Sequence, residues 1–261
     1  MISLDNLIRT AEIPRVAELD TSALSTEDVL KLILQRSEII RDQDNYNRYI
    51  KAWQQGKNYL LVDLIDRMGK DTLIRRAAAV IYLEYMELRP ILDKTRPKVL
   101  ADIGCGYAFF DLFVAQDFDT KVLLIDLETN GVRHFGFENT GAAYSNLDVA
   151  ARLLQRNGVK QSKIETMNPS VTSVDDLRNI DMAVSFISCG YHYPWQTYDT
   201  FFRNSVKFDG NIILDIRKRK MKNERAELDE IGTVKELEAG FSHKAARILI
   251  SKVPHNKRTE Q

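Results

Sequence analysis

The stretch Val99-Leu100-Ala101-Asp102-Ile103-Gly104-Cys105-Gly106-Tyr107-Ala108 decides how this chain is read. An apolar strand pattern runs into an acidic residue, and two glycines follow where the chain must turn before a helix. Glycine belongs there because the backbone has to turn sharply and approach a ligand with no Cβ in the way. Twenty residues beyond Gly106, the apolar run Val122-Leu123-Leu124-Ile125 ends in Asp126. A carboxylate at a second strand end can accept both hydroxyl protons of an adenosine ribose. The two features together, more than the glycine turn alone, mark a nucleoside-binding α/β unit.

Two cofactor classes use such a pair, the nicotinamide or flavin dinucleotides and S-adenosylmethionine. In the dinucleotide pattern GxGxxG the third glycine falls at Phe109, whose bulk opposes the close helix-to-strand packing that glycine allows. In the methyl-donor pattern, acidic-x-Gly-x-Gly-x-Gly, it falls at Ala108, a change of one methyl group. Asp102 suits the second class, because S-adenosylmethionine presents an ammonium group and no pyrophosphate to the first strand's loop.

Outward from this unit, short β-rich runs alternate with helical ones, the pattern of a parallel sheet with crossover helices. Residues 98–103, 121–126, 163–167, 181–187 and 211–216 read as parallel strands, and 145–157 as an amphipathic helix. Residues 233–238 and 245–253 read as a terminal antiparallel hairpin, which makes an α/β, Rossmann-like sheet of seven strands. The first 95 residues are different, with apolar residues at spacings of three and four. Ser25-Thr26-Glu27-Asp28 has the form of a helix start, with Val29, Leu30, Ile33 and Leu34 as the stripe behind it. A second helix is predicted over 71–88, with Leu73, Ile74, Ala77, Ala78, Ile81 and Met86 toward a core and Pro90 as its end. The chain thus divides into a helical, substrate-covering segment (1–95) and a nucleoside-binding unit (96–261).

Over residues 97–253 the sequence resembles the class I S-adenosylmethionine-dependent methyltransferases. The resemblance rests on Asp102-Ile103-Gly104-Cys105-Gly106, on Asp126, on Ile180-Asp181-Met182-Ala183-Val184-Ser185-Phe186 and on the final hairpin. It implies that Asp102, Gly104, Cys105 and Gly106 line the donor and that Asp126, with Leu127, holds the ribose. It also implies that Met167 and Asn168 lie beside the adenine and that Ser185, at the fourth strand's end, lies on the donor side. Many relatives carry Asp where this chain has Asn168. The stretch from Ser188 to Trp195 is similar to one in bacterial proteins described as sugar methyltransferases.

In open α/β sheets the ligand lies beyond the carboxyl ends of the strands, so the acceptor site should follow the fourth and fifth. After the fourth comes a predicted loop with Ser188, Tyr191, His192, Tyr193 and Trp195. Transfer to a hydroxyl requires alignment, exclusion of water and removal of a proton, and His192 is the candidate base. Tyr191, Tyr193 and Trp195 could stack on a ring, or simply pack the loop. The segment from Gly131 to Gly141 is longer than the ~2–6 residues usual for such a connection, and as a lid it would bring Arg133 or His134 to the acceptor. Arg217 opens a run with six basic residues in nine and sits nearest the cleft. In the helical segment Tyr46, Tyr49, Trp53, Lys57 and Tyr59 could cover substrate, pack the segment onto the sheet, or form a homodimer contact.

Composition bounds the alternatives. Of 261 residues 44% are hydrophobic, which excludes a disordered chain. Lys+Arg 37 balances Asp+Glu 37, and with a pI near 6.9 no basic field disposes the chain to nucleic acid. Two cysteines, Cys105 and Cys189, make no disulfide framework, and four histidines without CxxC or HExxH spacing indicate no metal. The opening MISLDNLIRT lacks a basic, then apolar, leader pattern, and the apolar stretches are far shorter than the ~20 residues of a membrane span, so a cytoplasmic location is expected. The expected activity is methyl transfer from S-adenosylmethionine to a small polar acceptor, a hydroxyl of a sugar, sugar nucleotide or phosphorylated metabolite. An amine N-methyltransferase is one alternative; an RNA methyltransferase or non-catalytic nucleic-acid-binding module using the run from Arg217 to Arg225 is another. Phe109 opposes an NAD-dependent dehydrogenase.

Overall fold

Side-chain alternation along the strands sorts the sheet into two faces. A computed structural model of the chain describes residues 2–128, 145–238 and 244–252. Its strands are β1 (Val99–Ile103), β2 (Lys121–Ile125), β3 (Ile164–Met167), β4 (Ile180–Ser185), β5 (Ser188–Tyr193), β6 (Val206–Arg217), β7 (Thr233–Leu237) and β8 (Ala245–Ser251). Seven of them form one sheet in the order β3-β2-β1-β4-β6-β8-β7. The first five in that order are parallel, and β8 runs antiparallel to both β6 and β7. This is the parallel sheet with a terminal hairpin that the sequence predicts. Leu100, Val122, Leu124, Met182, Val184 and Ile213 point to one face, while Ala101, Leu123, Ile125, Ala183, Ile212 and Leu214 point to the other. Both faces are covered, so the central strands are apolar on both sides, as parallel strands must be.

The helical segment covers the first face. It consists of α1 (Leu4–Ala11), α2 (Pro14–Ala17), α3 (Thr26–Gln35), α4 (Asn47–Gln54), α5 (Tyr59–Met68) and α6 (Lys70–Thr95). Helix α7 (Phe109–Phe118) joins them there, and α8 (Leu147–Arg156) packs beside β3. A single hydrophobic cluster runs from Leu7, Ile33 and Tyr85 through Phe113 to Leu100 and Ile213, so residues 2–95 share the sheet's own core. The second face is closed by α9 (Asp199–Asn204) and α10 (Lys218–Ile231), through Phe201, Phe202, Leu228 and Ile231. Among the described residues no helix is long and apolar enough to cross a membrane.

Helix α3 begins where predicted. Ser25 and Asp28 form a reciprocal capping box, which satisfies two backbone donors that a helix start leaves open. Helix α6 departs from expectation: it passes through Pro90 and ends at Thr95. Pro90 is exposed, and Tyr85, Leu88 and Leu92 are buried on either side of it, so packing outweighs the lost hydrogen bond. Met86 is 45% exposed, and Glu84 and Tyr85 take the buried positions instead. Strand β4 stops at Ser185, short of the predicted 187, because Ile187 has a left-handed backbone (φ 48°) that ends extended structure. The segment expected to be a loop after it is the extended β5.

Candidate active site

The strand order reverses at β1 and β4, where connections leave in opposite directions and a crevice must open at the carboxyl ends. A cavity lies there. Its floor is the glycine turn with Asp102 and Asp126; its walls are Leu34 and Gln35 of α3, Arg36, Ile81 of α6, Phe109 and Phe110 of α7, and two short runs, Phe186 to Ser188 and His192 to Tyr193. The sequence-predicted residues that it brings together are therefore Asp102, Gly104, Cys105, Gly106, Asp126, His192 and Tyr193.

The turn is tied to the second strand by its own amides. Gly104 N–H donates to the Ile125 carbonyl at 2.7 Å, and Gly106 N–H donates to the Asp126 carboxylate at 2.8 Å. Gly104 has φ 79°, and a Cβ there would lie 2.0 Å from Ser188 Oγ and 2.5 Å from Ser188 Cβ, so no rotation of Ser188 could make room. Strand β5 thus rests directly on the glycine turn. Above it, the Tyr107 hydroxyl donates to Asp28 at 2.8 Å, tying the turn to the capping box of α3.

Three carboxyls converge with little positive charge to offset them. Asp102 is buried, and Oδ1 has no hydrogen-bond partner among the described residues; nor does either oxygen of Asp111, fully buried on the first turn of α7. Burial pushes Asp102 up to about 7, with Asp126 adding to the rise while Asp111 and the more distant Arg36 oppose it. Burial, and then the neighbouring Asp102, hold Asp111 well above the usual carboxylate range. Asp126 is half-buried at the rim, and the surrounding protein pushes it to about 7 against the Gly106 amide. Cys105 beside them stays a thiol, held well above its ordinary value by burial and then by Asp126.

On β5, the Tyr193 hydroxyl lies 3.4 Å from Ser188 Oγ, and burial keeps Tyr193 a neutral phenol. His192 lies on the cavity wall with its ring edge-on to Tyr191, 5.1 Å between centroids. Phe186 packs edge-on to Phe110 at 4.8 Å, closing one side to water.

Other predicted residues stand elsewhere. Ser185 is fully buried behind the cavity wall, where its hydroxyl donates to the Ile103 carbonyl (2.7 Å) and accepts from the Cys189 amide (3.0 Å); it clamps β4 to β1 and β5. Arg217 does not line the cleft. Its guanidinium stacks on the Tyr191 ring at 4.7 Å and bonds the Tyr191 carbonyl, so both residues pack against each other outside the cavity wall. The basic run that follows is the start of α10, where Lys220 and Arg225 pair with Glu224 and Asp229 of the same helix. Leu127 is half-buried beyond Asp126, and Asn168 Oδ1 is engaged by the Ser170 amide and hydroxyl (3.0 and 2.6 Å), both off the cavity wall. Trp195, Tyr49 and Trp53 are core residues and Tyr59 is exposed. His134 and Arg133 lie outside the described residues.

Gln35, Arg36, Ile81, Phe110, Asp111, Phe186 and Ser188 are the site residues that sequence reasoning missed. Only Ser188 carried a signal, as the first residue of the segment singled out after the fourth strand; the cap residues reach the site through packing that no local pattern announces.

Neither a protein-family model nor a characterised protein sequence matches the chain. Among solved structures it is similar to the S-adenosylmethionine-dependent methyltransferase SibL in its apo form (TM-score 0.49, 15% identity, 87% of this chain and 74% of that one). It is also similar to an O-methyltransferase from Bacillus cereus in complex with SAH (TM-score 0.46, 12% identity, 66% and 81%). A third is a protein assigned provisionally as an O-methyltransferase, from Nostoc punctiforme PCC 73102 (TM-score 0.47, 13% identity); 69% of this chain is covered, against 59% of that one, less than two thirds of its length.

Proposed function

We propose that this chain is an S-adenosylmethionine-dependent methyltransferase acting on a small hydroxylated acceptor. The observation that carries the reading is the charge of the cavity: the carboxyls of Asp102 and Asp126 line it, and among the described residues neither makes an ion pair. A pyrophosphate would meet repulsion from that set, whereas a ligand with positive charge and an adenosine ribose meets the groups it needs. The residues fit S-adenosylmethionine: Asp102 Oδ1, without a partner, suits the ammonium; Asp126 at the end of β2 suits the ribose hydroxyls; the Gly104 turn leaves no Cβ in the way.

When bound, S-adenosylmethionine supplies a methyl group on a sulfonium. Asp102 and Asp126 hold the donor's charge and ribose. His192 takes the proton from the acceptor hydroxyl, and Ser188 and Tyr193 orient that hydroxyl from the same strand. Phe110 and Phe186, with Leu34 and Ile81 of the cap, exclude water from the displacement. Sugars and sugar nucleotides are the acceptor class to test first, supported by the hydroxyl-rich wall of Ser188 and Tyr193.

The test is calorimetric titration with S-adenosylmethionine, S-adenosylhomocysteine and NADH, repeated on Asp126→Ala. Binding of both adenosyl ligands that is lost in the variant supports the reading; a preference for NADH, or no adenosyl binding, sinks it. With a donor site established, a panel of sugar hydroxyl acceptors assayed on wild type and His192→Ala separates a base, where turnover falls, from a bystander, where it does not.

A further inference from the structure

A buried chain of alternating charges runs from the cap to the acceptor side of the cavity. Arg36, at the carboxyl end of α3 and on the cavity wall, makes a two-pronged pair with Glu84 of α6 (2.7 and 3.1 Å). Glu84 also faces Arg247 of β8 at 3.6 Å. Arg247 makes a second two-pronged pair with Asp215, its direct cross-strand neighbour on β6 (2.8 and 2.9 Å). Glu84, Arg247 and Asp215 are each no more than 1% exposed. Alternation explains why they meet: Asp215 and Arg247 point to the sheet face that α6 covers, together with Ile213 and Leu249.

The chain ends on the two residues that form the turn from β4 to β5. Asp215 Oδ2 accepts the Ile187 amide at 3.1 Å. The Arg247 guanidinium lies 4.4 Å from the centre of the Phe186 ring. Ile187 is β-branched and has φ 48°, a backbone conformation such a residue adopts only when its surroundings impose it. Phe186, Ile187 and Ser188 are all cavity wall. One ion pair therefore grips the backbone of one turn residue and the ring of the other, and the same pair is gripped through Glu84 by the cap.

We infer that Glu84, Arg247 and Asp215 are positioning residues that hold the turn from Phe186 to Ser188 in its strained, acceptor-facing form and couple it to the seating of α3 through Arg36. This rests on the reading of the cavity as a donor and acceptor site. Stability alone does not require such a chain, since a buried ion pair is commonly matched by apolar residues of the same volume. The arrangement instead ties three elements distant in sequence to one turn.

Hydrogen exchange read by mass spectrometry tests it on the full chain. Glu84→Gln touches neither the turn nor the donor carboxylates, yet exchange in peptides spanning residues 186–193 should rise by about fivefold or more over that in Leu92→Ala, a core variant on the same helix. Conditions are set so that both variants lie equally far below their melting midpoints. Turn exchange in Glu84→Gln that merely equals that of Leu92→Ala overturns the inference. Should Glu84→Gln fail to fold, Arg36→Gln carries the same expectation, and unchanged turn exchange there overturns it equally. S-adenosylhomocysteine binding, measured alongside, should stay within about threefold of wild type in Glu84→Gln. Wild type that binds no S-adenosylhomocysteine removes the donor reading, while the exchange comparison, which needs no ligand, still decides whether the chain of charges sets the turn.

Discussion

Asp102 and Asp126 both lie above the 3.8 of a free aspartate, pushed up to about 7 chiefly by burial. Between those limits the folded protein binds more protons than the unfolded chain, so the stability of ligand-free protein falls as pH rises through the interval. The slope is at most ~1.4 kcal/mol per pH unit for each group, less for Asp126 with solvent at the rim. A bound cation reverses the preference, since it favours the carboxylates. The melting midpoint of the ligand-free protein should therefore fall between about pH 5 and about pH 7. Saturating S-adenosylmethionine should flatten that fall, Asp102→Asn should reduce it, and S-adenosylmethionine affinity should tighten as pH rises. A ligand-free midpoint that climbs over the same interval, with Asp102→Asn indistinguishable from wild type, would contradict this account. Ala108 gives a second test. It occupies the third-glycine position with φ 58° and ψ 33°, so the strain of one methyl group in a left-handed turn is present and tolerated. Ala108→Gly should leave donor binding intact and raise stability by up to about 1 kcal/mol in urea unfolding, the relief of strain being partly offset by glycine's extra unfolded-state freedom.

Elements were legible in proportion to how local their causes are. The strands at Val99, Lys121 and Ile180 could be read because apolar residues there continue on both faces, and the start of α3 because Ser25 and Asp28 lie within one turn of each other. Strand β5 was not legible: Gly190 and two tyrosines around a histidine look like loop chemistry, and its extended form comes from resting on β6 and on Gly104. Pro90 misled for a related reason. Locally it ends a helix, but the core contacts of Leu88 and Leu92 lie on both sides of it, and the Met86 carbonyl that loses its partner belongs to an exposed residue and can bond water. The helix thus carries a local penalty that packing on both sides of Pro90 outweighs. Pro90→Ala should stabilise the protein by about 1–3 kcal/mol, the helix-interior penalty less proline's restriction of the unfolded chain. The urea midpoint should shift upward with an unchanged slope; a downward shift would mean that the ring itself packs or fixes a bend that α6 requires.

At the scale of the molecule the cap and the sheet are one body, because Ile33, Leu64 and Tyr85 share a cluster with Leu100 and Ile213. The apolar half of that union was foreshadowed by the helical stripes, which need something to pack on. The charged half was not, since burial of Glu84 is set by Arg36 and Arg247, far from it in sequence and supplied by another helix and the last strand. Such a chain has an energetic signature that separates it from ordinary packing. Arg247→Met alone leaves Asp215 in the core without its cation, while Glu84 keeps Arg36, and should cost about 3–5 kcal/mol. Asp215→Leu alone leaves Arg247 half-compensated by Glu84 and should cost somewhat less. Together the two substitutions remove both charges and leave an apolar pair facing α6, so most of the loss should return, giving a coupling of at least ~2 kcal/mol in a double-mutant cycle. Recovered stability should not restore the turn: Ile187 in the double variant has lost the acceptor that held its amide, and its exchange should stay fast while the midpoint recovers. Additive losses in the cycle would show instead that the two residues act independently, each through its own packing.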